Sequence, residues 1–119
     1  PVADRDTVVR VTTQVIRSNE EYRIAMRSIR GRRPHVDGVV RIEHSHIYFH
    51  LRRLDERRTE VVYSLNVDPG GALPKWIVRL STRSMPVETI RALERQVTKT
   101  EGVYGDVIKT LKSPGKTAR

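Results

Sequence analysis

Cysteine is absent from this chain of 119 residues, which excludes disulfide bonds and thiolate chemistry and leaves the cellular compartment open. Aromatic residues are few, and none alternates with the basic clusters as a stacking platform for single-stranded nucleic acid requires. No apolar run approaches the roughly 20 residues that span a bilayer. Gly-rich phosphate loops and nucleophile motifs are lacking too, so the sequence predicts neither a catalytic residue nor a cofactor.

Positive charge is what the chain has in excess, with 23 Lys and Arg against 14 Asp and Glu and a net charge of +9. Such a balance favours anionic partners. The arginines gather in two predicted turns, which we expect at opposite ends of a sheet: Arg30, Arg32 and Arg33 in one, and Arg52, Arg53, Arg57 and Arg58 in the other. Solvated turns are the simplest interpretation. An anionic membrane surface is the second, since each basic residue there contributes about 1 kcal/mol, and nucleic acid is disfavoured.

Four segments alternate apolar and polar residues with a period of two, which predicts strands over residues 7–16, 22–29, 39–51 and 59–67. Short turns join them, so we expect an antiparallel meander with one buried and one wet face. In the third segment the alternation slips near Ser45, where a bulge would bring Ile47, Phe49 and Leu51 onto the apolar face.

The stretch Asp68-Pro69-Gly70-Gly71 ends the strand pattern, and a helical pattern follows. Pro74 suits the first turn of a helix, and apolar residues then recur at helical spacing from Trp76 to Val97. Pro86 is expected to break or kink this helix. We expect Gly102 to weaken or end it, and residues 113–119 to form a basic, disordered tail.

Three motifs give the chain a family resemblance. They are Pro-Val-Ala-Asp-Arg-Asp at residues 1–6, Gly-Val-Val-Arg-Ile-Glu-His at residues 38–44, and Asp-Pro-Gly-Gly-Ala-Leu-Pro-Lys-Trp at residues 68–76. In order and spacing they resemble the START family, the lipid-transfer domains related to steroidogenic acute regulatory protein. The resemblance implies an α+β helix-grip fold of the Bet v 1-like superfamily, in which a bent antiparallel sheet grips a long, kinked C-terminal helix. It also implies that residues 1–112 are the C-terminal portion of such a domain, without its N-terminal part.

The resemblance further implies a tunnel between sheet and helix that holds one sterol, phospholipid or other hydrophobic molecule. His44 matches a cavity-facing position of the family and is the best candidate to bond a ligand hydroxyl or headgroup. We expect six residues of the helix to close the tunnel: Trp76, Ile77, Leu80, Ile90, Leu93 and Val97. The full set of predicted ligand contacts is Val9, Val11, Thr13, Ile24, Met26, Ile42, His44, Tyr63, Leu65, Trp76, Ile77, Leu80, Ile90 and Leu93.

Binding and transfer of a hydrophobic ligand is therefore the leading hypothesis, and it is a non-enzymatic one. A polyketide aromatase/cyclase on the same fold is an alternative, with Tyr63 and His44 as acid and base. A basic module that binds another protein is a third. The shared strand parity of His44, His46 and His50 allows a zinc site in principle, but no inward carboxylate supports it, and we predict no metal.

Overall fold

The computed structural model of the protein describes residues 2–111 and shows an α+β architecture. Within that range six strands and two helices follow one another along the chain. Their bounds are β1 Asp4–Asp6, β2 Val9–Arg17, β3 Glu21–Ser28, β4 Val39–Arg41, β5 His44–Arg53, β6 Thr59–Asp68, α1 Lys75–Lys99 and α2 Gly105–Leu111. The predicted antiparallel sheet followed by a long C-terminal helix is confirmed.

The larger sheet has the strand order β2-β3-β5-β6, and every neighbouring pair is antiparallel, as a meander requires. Residues paired across the strands point to the same side of the sheet. One side, called here the inner face, carries the apolar row Val11, Met26, Ile47 and Leu65. The other side, called the outer face, carries the polar row Arg10, Arg27, His46 and Asn66.

The predicted third strand is two strands, because the chain leaves the ladder at Ile42 and Glu43. The Ser28 hydroxyl bridges this break: it donates to the Glu43 carbonyl at 2.8 Å and accepts the Ser45 N–H at 3.0 Å. Ser45 is only 3% exposed. Beyond the break Ile47 and its alternating neighbours lie on the inner face, so the change of phase expected near Ser45 occurs just before it.

A small parallel pair of strands, β1 with β4, was not predicted from the sequence. It is held by Arg41, whose guanidinium forks onto both carboxylate oxygens of Asp6, with Nη2 to Oδ2 at 2.9 Å. The Arg41 side chain is only 11% exposed and also donates to the Arg33 and Pro34 carbonyls. The hydrogen bond from Arg41 holds the pKa of Asp6 below its ordinary value, and the same bond raises the pKa of Arg41.

Helix α1 is a single helix with Pro86 in its interior, so of the predicted break or kink at this proline the break is wrong, and the kink stays a prediction. Pro74 precedes the helix as its N-cap and lies outside the first turn. Pro86 has no N–H to give the Thr82 carbonyl, and one backbone bond of the helix is therefore missing. The helix lies along β6, the edge strand of the larger sheet. Gly102, at φ +78°, lies in the turn between α1 and α2.

Most side chains of the inner face are half-buried. Among residues 2–110 no apolar side chain is fully buried, and Val11 on this face is 46% exposed. The helix covers the β6 side, while β2 and β3 keep their apolar side chains partly in solvent. No helix in the described part of the chain is long and apolar enough to cross a membrane. The basic tail predicted at residues 113–119 lies outside the described residues.

The Asp6–Arg41 pair predicts how stability depends on pH. Because the folded-state pKa of Asp6 lies below the ordinary 3.8, its contribution is fully present above that value and is lost as the pH falls through the folded-state pKa. We expect Asp6→Asn to lower the urea midpoint at pH 7. The difference in urea midpoint between Asp6→Asn and the parent protein should become smaller as the pH is lowered further below 4.

The matched control is Asp37→Asn, which removes an exposed carboxylate without a described ion pair in the loop before β4. It should leave the urea midpoint nearly unchanged at every pH. A deficit of Asp6→Asn that stays constant from pH 7 into the acid range would contradict a role for the ionised carboxylate.

Candidate functional site

A cavity of about 750 Å³ lies between β6 and the first half of α1, and it is called here the main cleft. Apolar side chains from both elements and from the junction between them make up most of its wall. One end is formed by the N-terminal segment and the residues that precede the helix. The lining residues are Val2, Arg5, Ile42, Tyr63, Ser64, Leu65, Asn66, Val67, Pro69, Leu73, Ile77, Val78, Ser81, Thr82, Met85 and Pro86.

A smaller cavity of about 440 Å³ adjoins the main cleft further along the helix and is called here the side cleft. Tyr63 and Pro86 line both, so the two form one groove beside β6. Residues of both faces of β6 contribute to the main cleft, Leu65 from the inner and Asn66 from the outer face. The groove therefore follows the free edge of β6, where the strand has no neighbour.

Arg5 joins the N-terminal segment to the junction before α1, and both line the main cleft. Its Nε donates to the Pro69 carbonyl at 2.9 Å and its Nη2 to the Gly70 carbonyl at 3.1 Å, while Nη1 donates to the Ala3 carbonyl at 2.7 Å. Gly70 and Gly71 both have positive φ, +64° and +65°, which side chains rarely adopt. A Cβ on Gly70 would stand 3.4 Å from Val40 Cγ1. The junction is thus fixed by β1, β4 and its own glycines.

Tyr63 is the central polar group of the groove. On β6 it stands opposite Phe49, with ring centroids 4.8 Å apart and planes at 42°. Its hydroxyl makes no hydrogen bond among those that the structure describes. Ser81 and Thr82 add small polar groups from α1, although the Thr82 hydroxyl already donates to the Val78 carbonyl at 2.8 Å. The groove is therefore apolar with a few polar groups, as small-molecule sites usually are.

Several predicted contacts do come together in the groove. Ile42, Tyr63, Leu65 and Ile77 line the main cleft, and Ile90 lines the side cleft with Tyr63. Other predicted contacts lie on the inner face of β2 and β3, outside the groove: Val9, Val11, Thr13, Ile24 and Met26. Leu93 is half-buried on α1 and lines neither cavity.

Three predicted contacts lie away from the groove. His44 is exposed on the outer face, since β5 restarts the alternation after Glu43 and pairs His44 with Asp68. Tyr63 is on the inner face, so these two side chains are not brought together. Trp76 and Leu80 are 66% and 61% exposed, on the side of α1 that faces solvent. Neighbouring Ile77 and Val78 line the cleft instead, because the helix turns that side to β6.

The histidines of β5 all belong to the outer face and have separate partners. The rings of His44 and His46 stand 4.6 Å apart, whereas His50 Nε2 lies 2.7 Å from Glu21 Oε1. The hydrogen bond with His50 holds the pKa of Glu21 below its ordinary value. Within residues 2–111 no three His, Asp or Glu side chains are placed to hold a metal ion.

Sequence reasoning missed much of the helix side of the cleft. Counting apolar residues from Trp76 selected Ile77 and Ile90, which line the groove, but also Trp76, Leu80 and Val97, which are exposed to solvent. The helix side of the main cleft follows two rows at steps of four residues, one through Ile77, Ser81 and Met85 and the other through Val78, Thr82 and Pro86. Ser81 and Thr82 carry no apolar signal, so periodicity alone does not find them. The signal that could have found Arg5 is its motif, which places an arginine directly before the aspartate that binds Arg41.

Comparison with known proteins identifies the family. The sequence model of the START domain matches residues 1–100. The chain belongs to the START domain family. All three motifs that gave the resemblance are in mutual contact in the structure: Arg5 holds the Pro69 and Gly70 carbonyls, and Asp6 holds Arg41.

A curated relative of this START chain is the "Uncharacterized protein PA1579" of Pseudomonas aeruginosa, which is 27% identical over 93 residues. The match covers 78% of this chain and 46% of the relative, so the chain spans about half the length of the curated relative it matches. No solved structure gives a significant match to the chain.

The two arginine clusters of this START chain lie at opposite ends of the larger sheet. Arg30, Arg32 and Arg33 follow β3, whereas the other cluster surrounds the β5–β6 turn at the end where β2 and β3 are joined. In that turn Asp55 accepts the Arg57 and Arg58 N–H groups and the Arg58 side chain at 2.6 Å. The clusters do not merge into one patch, and membrane contact stays a prediction.

The exposure of Trp76 gives a direct optical test of how α1 is oriented, because it is the single tryptophan of the chain. We expect the native protein to emit at nearly the same wavelength as the urea-denatured protein, with quenching by iodide equally strong in both. A native emission clearly blue-shifted from that of the denatured protein would contradict this placement. It would indicate that the Trp76 side of α1 is covered by protein.

Proposed function

We propose that this START chain binds one hydrophobic or amphiphilic molecule in the groove between β6 and α1. The observation that carries the proposal is the main cleft itself. Its volume of about 750 Å³ lies within the ~300–1,000 Å³ usual for small-molecule sites. Its wall is mostly aliphatic, with Tyr63 as the central hydroxyl. Membership of the START family supports a hydrophobic ligand, and the volume and apolar wall of the cleft support this cavity as its binding site.

The apolar wall supports this proposal energetically. Burying one CH₂ group is worth about 0.8 kcal/mol. A long acyl chain or a sterol nucleus would therefore gain on the order of 10 kcal/mol before the costs of ordering and association are subtracted. Leu65, Ile77 and Val78 supply such contacts from opposite sides of the cleft.

The inner face beyond the groove extends the same apolar surface. Val9, Val11, Thr13, Ile24 and Met26 continue from the groove across β3 and β2, and they are the remaining sheet contacts predicted from the sequence. We include them in the proposal as the surface that a larger ligand reaches once it fills the cleft. Thr13 would then add one hydroxyl to an otherwise aliphatic row.

Transfer of the ligand is the finer part of the proposal. Helix α1 forms one wall of the groove and is held at its N-terminal end by the junction that Arg5 fixes. Its wall also contains Pro86, where one helical hydrogen bond is missing. A movement of α1 away from β6 would open the groove along its length and release the ligand.

The cyclase alternative required Tyr63 and His44 in one cavity. The structure places them on opposite faces of the sheet, so the acid–base pair that this alternative named is not assembled. START domains are generally ligand-binding proteins without enzymatic activity, and our proposal is a binding function.

Two substitutions on α1 distinguish ligand binding in the groove from binding elsewhere on the surface. Ile77→Asn places an amide in the main cleft, and we expect it to weaken binding of the neutral probe Nile red about tenfold, the equivalent of roughly 1.4 kcal/mol of lost apolar contact. The measurement is a fluorescence titration, with helix content checked by circular dichroism.

The matched control is Leu80→Asn, which makes the same kind of change three residues further along α1 on its exposed side. It should change the dissociation constant by less than about twofold, as expected for a surface substitution within ±0.5 kcal/mol. Equal losses in the two variants would show that the probe binds exposed apolar surface rather than the groove.

The interior proline predicts the rate of transfer. Pro86→Ala restores an N–H that can donate to the Thr82 carbonyl, which stiffens α1. We expect exchange of a fluorescent lipid between protein and vesicles to slow several-fold, whereas Arg83→Ala on the exposed side should not change it. An unchanged exchange rate in Pro86→Ala would contradict a role for Pro86 in ligand release.

A further inference from the structure

We propose that Arg5 is an anion-binding group of the main cleft, and that the preferred ligand is an amphiphile whose head is a carboxylate or a phosphate. This inference rests on the proposed function, since it names the head group of the molecule that the groove holds. Neither the sequence pattern nor the family match assigns a ligand contact to this arginine. Two observations support the inference: where the guanidinium lies, and the fact that no described carboxylate is paired with it.

The guanidinium of Arg5 is fixed in position yet has donors to spare. Arginine carries five N–H groups. Arg5 uses three of them, one each on the carbonyls of Ala3, Pro69 and Gly70. Two N–H groups are left over on a half-buried side chain that lines the main cleft. A carboxylate or phosphate can accept a charge-assisted hydrogen bond from such a group.

The charge of Arg5 is also unmatched. Within residues 2–111 no carboxylate oxygen lies within 4 Å of its nitrogens, whereas Arg41 has Asp6 and Arg91 has Glu88. The adjacent Asp6 is turned to Arg41, and Asp68 Oδ1 accepts the Gly70 N–H at 2.9 Å. Three neutral carbonyls therefore surround a full positive charge. A group in this state gains more from an anion than an arginine that is already paired does.

The surroundings strengthen that gain. An apolar wall lowers the local dielectric, so a charge pair formed there is stronger than one in bulk water. The positive end of α1 lies beside the same junction, with no acidic residue in its first turn and no side-chain cap on its N-terminus. The helix dipole adds a favourable potential for an anion at this end, although the arginine and not the helix end defines the site.

The position of Arg5 also orients the ligand. The guanidinium is bound to the junction that lines the main cleft before α1, and the groove continues along the helix past Ile77 to Ile90 in the side cleft. Thirteen residues of helix span about 20 Å, which is comparable to an extended acyl chain. The head would sit at the junction and the tail would follow β6. The polar group predicted from the sequence for this task, His44, lies on the other face.

Three ligands with the same saturated tail and different heads test the inference on the unmodified protein: palmitate, hexadecyl phosphate and hexadecanol. Each displaces Nile red at pH 8, below its micelle concentration. We expect at least one of the two anions to bind tenfold or more tightly than the alcohol, and the comparison between them separates a carboxylate from a phosphate head. An alcohol that binds as tightly as both anions would overturn the inference and leave the proposed function standing. Failure of all three to bind would overturn both.

Variants then assign the preference to Arg5. In Arg5→Gln the ratio of the alcohol and anion dissociation constants should fall to about one, whatever loss of affinity all three ligands share because the bonds from Arg5 to the junction are removed. Arg83→Gln, on the exposed side of α1 and outside both clefts, should keep the parent ratio. A purely structural role for Arg5 would weaken all three ligands together and leave the ratio unchanged, which would contradict the inference. Should Arg5→Gln not fold, the comparison on the unmodified protein decides.

Discussion

Two adjacent side chains, Arg5 and Asp6, hold the parts of this molecule together. They lie on β1, where successive side chains point to opposite sides, so each binds a different segment. Arg5 binds the carbonyls of Pro69 and Gly70 at the end of the larger sheet. Asp6 binds Arg41 of β4 through a forked pair of hydrogen bonds. Among the hydrogen bonds that the structure describes, those from Arg5 tie the short parallel sheet to the junction before α1.

The groove follows from that constraint. Because the junction is fixed, α1 begins beside the free edge of β6 and contacts this strand sparsely, which leaves a cavity between the two. No apolar side chain among residues 2–110 is fully buried, so the apolar surface of the sheet stays available. A tightly packed core would stabilise the chain more strongly. Such a core would also remove the space in which, on our proposal, a hydrophobic ligand supplies the missing contacts.

The strands and the long helix were predictable, since a period of two and a period near 3.6 are strong local signals. The residues that would contact a ligand were less predictable. His44 was assigned to the wrong side because the break at Ile42 and Glu43 resets the alternation, and no residue type marks that break. Trp76 and Leu80 looked like an inner face because periodicity shows that two residues share a side, but not which side meets the sheet. Arg5 was visible only as part of a motif, because its role depends on carbonyls more than 60 residues away.

The central claim is that the groove of this START chain holds one hydrophobic molecule. Native mass spectrometry of the protein purified from cells without detergent, followed by organic extraction, tests it most directly. The account predicts a bound species at one copy per chain, recovered in the organic phase and lost in Ile77→Asn but retained in Leu80→Asn. A parent protein that carries no such species, and acquires none when incubated with lipid vesicles, would contradict the account.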